Sequence, residues 1–142
     1  MKATGDLPEA FAWANSVAGE TTLEGRVDQV CDEPIEMEDR FNEGVRQSVV
    51  YVVIEDPTGD LYTLWMTEKK DVDKNPRPDR KYQAVAAALK DAGVSQILEG
   101  GTLKIQHSSD NDTGKGNAEK IFKAKYTPPA TGMAMESEED AF

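Results

Sequence analysis

The spacing of apolar residues changes several times along the chain, and each change predicts an element. Residues 6–18 place Leu7, Phe11, Ala14 and Ala18 on one helical face. Asp6 and Glu9 stand at capping-box spacing, Pro8 lies in the first turn and Gly19 follows, so a short N-terminal helix over about 6–18 is expected. In "TTLEGRVDQV", Leu23, Gly25 and Val27 alternate with Glu24, Arg26 and Asp28, the period of a strand. "CDEPIEMEDRFNEG" is acidic and broken, and is expected to be a long loop.

The sharpest pattern is "QSVVYVVIEDPTGDLYTLWM". Two β-branched and aromatic runs flank "DPTGD", with Pro at the second turn position and Gly at the fourth. A type I turn with Gly59 left-handed makes a three-residue bulged loop. That loop sets the register: Ile54 opposite Tyr62, Val52 opposite Leu64, and Val50 opposite Met66 on an apolar face. The second face then carries Val53 opposite Thr63 and Tyr51 opposite Trp65, and a slip by one residue would scramble both faces. A polar connection follows, "TEKKDVDKNPRPDRK". Residues 80–92, "RKYQAVAAALKDA", predict a helix with Tyr82, Val85, Ala86 and Leu89 on its stripe and Gly93 as its stop. "GGTLKIQHSSD" and "KIFKAKYTPP" predict two last strands, joined by the Gly/Asn/Asp-rich "NDTGKGNAE". From Pro128 onward no periodicity remains, so a disordered acidic tail over 130–142 is expected behind a single domain of residues 1–129.

Five strands with one helix between the third and fourth is the order of the OB-fold. That small β-barrel binds oligonucleotides or oligosaccharides on its strand 2–3 face and adjoining loops. The expected class is therefore mainly β, a five-stranded OB barrel with a short N-terminal helix added.

Charge sharpens this picture. The 142 residues carry a formal charge of −11, which opposes nucleic-acid binding, but the charge is segregated. Residues 1–44 hold three basic and eleven acidic side chains, 45–129 hold thirteen and twelve, and 130–142 hold none and four. The middle of the chain is thus free to form basic patches. One cysteine, Cys31, excludes an internal disulfide and suits a reducing cytoplasm; with one histidine, His107, a zinc site is not expected. His107 falls on the inward phase of its strand, where a satisfied core histidine is expected. No apolar run reaches the roughly 20 residues that span a bilayer, and the N-terminus has no signal-peptide core, so no membrane association is expected. No nucleophile, triad or phosphate-loop spacing presents itself, and "TGKGN" (113–117) would join two strands rather than open a helix. The expectation is no enzyme, no metal and no cofactor.

The residues that could carry binding are Tyr51 and Trp65, with Thr63 on the same face. Aromatic platforms stack single-stranded bases while basic side chains track phosphates. The same pair could instead cover barrel surface against the N-terminal helix or a partner. Lys69, Lys70, Lys74, Arg77, Arg80 and Lys81 follow the third strand. Lys104 points outward from the fourth, and Lys115 and Lys120 lead to Lys123 and Lys125 on the outward phase of the fifth. Arg26 and Arg46 are weaker candidates.

"VRQSVVYVVIEDPTGDLYTLWM", "GVSQILEGGTLKIQHSSD" and "NAEKIFKAKYTPPA" together resemble the small OB-fold single-stranded DNA-binding proteins of tailed bacteriophages, especially those of actinobacterial hosts. The resemblance covers about residues 20–130 and rests on structural rather than catalytic motifs. It implies non-enzymatic, largely sequence-independent binding of single-stranded DNA in phage replication, recombination or repair, in the host cytoplasm. OB-fold single-strand binders occur as monomers, dimers and tetramers, and of the oligomers a dimer is the one expected. It also implies that the acidic end, Glu136, Glu138, Glu139, Asp140 and Phe142, docks on replication or recombination proteins and competes with DNA for the basic groove. Ala141 stands where the bacterial pattern has Pro, and the acidic run is short. The alternative is an OB-fold module whose Tyr51/Trp65 face meets protein, as a replisome or virion accessory.

Overall fold

The computed structural model describes residues 7–38, 44–70, 78–112, 114 and 118–129. Among them, six strands and one helix follow in the order β1 (Thr22–Val30), β2 (Ile35–Glu38), β3 (Arg46–Glu55), β4 (Leu61–Lys70), α1 (Arg80–Ala92), β5 (Thr102–Asn111) and β6 (Glu119–Thr127). All ladders between strands are antiparallel. The strands run β2-β3-β1-β5-β6, and β4 pairs with β3.

The hairpin has the register that its turn predicts. Ile54 faces Tyr62, Val52 faces Leu64, Val50 faces Met66, and Tyr51 faces Trp65. Gly59 has φ 91°, the left-handed conformation a bulged loop requires. The Asp56 carboxylate accepts the Thr58 hydroxyl at 2.7 Å and the Thr58 and Asp60 amides at 3.0 Å, which holds its pKa below the usual value. The pairing runs unbroken to Val49–Thr67; Ser48 then pairs with Lys69, leaving Glu68 as the extra residue of a bulge.

Three expectations are corrected. Residues 31–44 are expected as loop from their acidity, yet Ile35–Glu38 forms an edge strand on β3, Ile35 opposite Val49 and Met37 opposite Gln47. Ile35 and Met37 are half-buried on the Tyr51 side of β3, while Glu36 and Glu38 are exposed, so the acids alternate with the apolar pair along the edge strand. On α1 the buried residues are Ala84, Val85 and Ala88, and Ala86 is exposed. Asp79 caps this helix by accepting the Tyr82 amide at 2.8 Å, and its second oxygen accepts the Thr67 amide at 3.0 Å, tying α1 to β4.

The third correction concerns the N-terminus, where residues 7–18 form no helix. The chain instead runs extended along the outer edge of β4, with a parallel bridge between Ala10 and Thr63. Thr63 donates its amide to the Glu9 carbonyl at 2.9 Å and its hydroxyl to the Pro8 carbonyl at 2.7 Å, while the Phe11 amide donates to the Thr63 carbonyl at 3.0 Å. Open strand edges carry unpaired backbone groups, and this pairing satisfies them in a way a local helix could not. Phe11 and Trp13 turn inward around exposed Ala12, a strand-like alternation that overrides the helical spacing.

The consequence is a row of rings. Tyr62 on β4 meets Phe11 at 5.4 Å, Phe11 meets Trp13 at 4.6 Å, and Trp13 meets Phe122 on β6 at 5.0 Å, all edge-to-face. β4 and β6 form no ladder with each other among the described residues, so the sheet stays open. The row spans the gap and joins the core of Leu23, Val27, Val52, Ile54, Leu64, Leu103 and Ile105. At the opposite bend, Gly25 on β1 lies so close to β3 that a Cβ there would overlap the Glu55 carbonyl.

Trp13 is 9 % exposed, and its Nε1 has no partner among the described residues. Trp13→Ala is expected to lower stability by about 3–5 kcal/mol. Trp13→Phe keeps an edge-to-face ring and removes the orphaned N–H, and is expected to cost well under half of that. Chemical denaturation monitored by circular dichroism measures both, and equal losses would contradict the bridging role.

Candidate nucleic-acid interface

Backbone register carries one face across the whole sheet. Trp65 lies beside Tyr51 on β3; two and four residues on, Val53 and Glu55 share that side, and Glu55 pairs with Arg26 of β1. From Arg26 the face passes to Glu24, which pairs with Lys104, which pairs with Lys125. The next row is Thr22, Gln106 and Lys123. Lys104, Lys123 and Lys125 are all exposed, while Leu103, Ile105 and Ala124 between them face the core. Strand alternation thus gathers three ammonium groups with one carboxylate, Glu24, in the same rows.

The aromatic end of this face differs from the expected platform. Tyr51 is 5 % exposed, its phenol accepts from Gln29 Nε2 at 3.3 Å, and its ring meets Trp65 at 5.3 Å and 57°. Gln29 reaches it because the β1–β3 register shifts between Val27 and Gln29. Cys31 extends the contact: its amide donates to the Tyr51 carbonyl at 3.2 Å and its sulfur accepts the Tyr51 amide at 3.4 Å. Tyr51 therefore supports Trp65 rather than presenting its own face. Trp65 is half-buried and is the ring of the pair open to a ligand. Thr63 is 1 % exposed, with its hydroxyl spent on Pro8, so it holds the N-terminal segment.

The remaining basic candidates separate. Lys69 is exposed, opposite Ser48, and Lys70 closes β4 opposite Gln47. Lys120 is half-buried opposite Asp110 at the far end of β5–β6. Arg80 is forked onto Glu119, Nε to Oε2 at 2.8 Å and Nη2 to Oε1 at 3.1 Å, and this pair raises its pKa further. Arg26 is shared between Asp28 at 3.4 Å and Glu55 at 3.3 Å. Burial lowers the Lys81 pKa against the opposing pull of Asp79, so it is not a solvated surface ammonium. Lys74, Arg77, Lys115 and the tail residues Glu136, Glu138, Glu139, Asp140 and Phe142 lie outside the described residues.

The fold also aligns three residues whose spacing gave no signal. His107, 2 % exposed, donates from Nε2 to Asp110 at 2.6 Å, leaving Nδ1 to accept from the Ser16 hydroxyl at 2.7 Å. A serine, a histidine and an aspartate in one row resemble a nucleophilic relay, so the surroundings of the hydroxyl matter. The Ser16 amide is spent on the Trp13 carbonyl at 3.1 Å and the Val17 amide on Thr21 Oγ1 at 2.7 Å, leaving neither donor for an oxyanion. With the Gly19 amide on the His107 carbonyl at 2.8 Å, the row clips the N-terminal segment to β5.

No group of three or more His, Cys, Asp or Glu side chains suited to a metal ion occurs among the described residues, and no helix among them is long and apolar enough to cross a membrane. No protein-family model matches the chain, and no curated protein or solved structure matches it.

Proposed function

We propose that this chain is an OB-fold, non-enzymatic protein that binds single-stranded DNA across the outer face of its sheet. The observation that carries the reading is one side of the sheet, continuous in register, with half-buried Trp65 at one end, buried Tyr51 and Val53 beside it, and exposed Lys104, Lys123 and Lys125 at the other end. Support for the fold comes from the strand order. Setting the short β2 aside, β4-β3-β1-β5-β6 is the order of an OB barrel opened between its third and fifth strands, with the helix between the third and fourth.

The chemistry divides along that face. Trp65 stacks a base while lysines neutralise phosphates, a combination that tolerates any sequence because every base has a π-face. Duplex DNA hides its bases from such a ring and binds more weakly. The role is phage DNA replication, recombination or repair, with a dimer as the working form. The acidic end from Glu136 to Phe142 recruits partner proteins and competes with DNA for the lysines.

Oligo-dT is expected to quench tryptophan emission and to bind less tightly as salt rises. Trp65→Ala should weaken binding by about 1–3 kcal/mol. Neutralising Lys104, Lys123 and Lys125 should flatten the salt dependence by about 0.7 in log–log slope for each phosphate left without its ammonium. Parental affinity in Trp65→Ala, measured by fluorescence anisotropy of labelled oligo-dT, would falsify the stacking role. Removing residues 133–142 is expected to tighten DNA binding at low salt and to leave it nearly unchanged at high salt. Identical affinities at low salt would contradict the competition.

A further inference from the structure

A cleft of about 560 Å³ opens on the other side of the sheet, between α1, the β1–β2 connection and the segment that follows α1. Its walls include Val50, Val52, Met66, Val85, Leu89 and Ile97. Three carboxylates, Asp32, Glu33 and Glu68, and one ammonium, Lys90, also line it. The outer face and this cleft thus have opposite character: lysines on the first, apolar walls under acids on the second.

Glu68 gives the cleft its direction. It is the extra residue of the β3–β4 bulge, a device that re-aims a side chain, and it lies half-buried. Among the described residues its hydrogen bonds come from neutral hydroxyls, Ser48 at 3.3 Å and Tyr82 at 3.4 Å, and no cation pairs with it. The Tyr82 phenol is correspondingly held above its usual pKa by burial, by the Glu68 charge and by their hydrogen bond. A carboxylate in that setting retains acceptor capacity for a charged donor.

Charge excludes several occupants. DNA phosphates would be repelled by Asp32, Glu33 and Glu68, and so would the acidic sequence 136–140 of this chain. A second copy meeting this face symmetrically would set the same acids, Asp32, Glu33 and Glu68, against each other. We propose that the cleft docks a short amphipathic segment of a partner protein, seating aliphatic side chains on the apolar walls and a lysine or arginine on Glu68. This site uses none of the lysines of the DNA face, although Tyr51, which supports Trp65, also lines the cleft.

The test uses the full chain, isotope-labelled at its methyl groups, and a synthetic amphipathic leucine–lysine peptide of about four helical turns. A leucine–glutamate peptide of the same pattern is the control. The leucine–lysine peptide is expected to shift the methyls of Val50, Val52, Leu89 and Ile97, and the control to leave them unmoved. Glu68→Gln, which keeps size and shape, should weaken binding about tenfold, the size of one charge-assisted hydrogen bond. Glu20→Gln, an exposed carboxylate in the turn before β1 and away from the cleft, should change affinity less than twofold. The proposal is overturned by unmoved cleft methyls, by equal binding of both peptides, or by a neutral Glu68→Gln whose thermal melt matches the parent. Methyl shifts that track protein concentration without peptide would also overturn it, because they assign the cleft to a second copy.

Discussion

The architecture depends on how the open edge of β4 is satisfied. Thr63 engages Pro8, Glu9 and Phe11 through three hydrogen bonds, and that pairing positions Phe11 and Trp13 between Tyr62 and Phe122. The sheet does not close by a β4–β6 ladder among the described residues; aromatic edges span the gap instead. The Ser16–His107–Asp110 row anchors the same segment to β5 a few residues later. A segment bonded to β4 and β5 and packed between β4 and β6 connects both ends of the sheet, so its loss would reach the core as well as the edge.

That arrangement leaves two surfaces with different chemistry. Strand alternation sends Lys104, Lys123 and Lys125 outward on β5 and β6, while a single bulge turns Glu68 inward toward α1. The formal charge of −11 therefore conceals a local division that a mean cannot express. In the proposed account, single-stranded DNA uses the first surface and a basic partner segment the second. Both ligands could then be held at once without competing for the same charges.

What was legible in the sequence was what local chemistry determines. Pro57 and Gly59 specify the turn, the turn specifies the register, and period-2 runs of β-branched residues leave no second solution for β3–β4. Asp79 and Gly93 bracket α1 for the same reason. The outward phase of Lys104, Lys123 and Lys125 follows from alternation around buried Leu103, Ile105 and half-buried Ala124. The misread parts depend on distant partners. The N-terminal segment carries both helical and alternating patterns, and the choice rests with Thr63, some fifty residues away. β2 hid its half-buried Ile35/Met37 alternation among exposed acids, and only pairing with β3 makes it a strand. Spacing alone makes Tyr51 an open platform, but the β1 bulge brings Gln29 onto its hydroxyl. Nor could spacing pair Ser16 with His107, ninety-one residues apart.

The central claim is that the outer face of the sheet, centred on Trp65 and the β5–β6 lysines, is where single-stranded DNA lies. Two-dimensional amide spectra of the labelled chain, recorded with increasing oligo-dT, test this directly because the two indoles give separate reporters. The account predicts movement of the Trp65 indole signal and of the amides in 102–106 and 122–127, while the buried Trp13 indole stays in place. Shifts confined to α1 and the cleft beside it, or a spectrum unchanged at saturating oligo-dT, would contradict it.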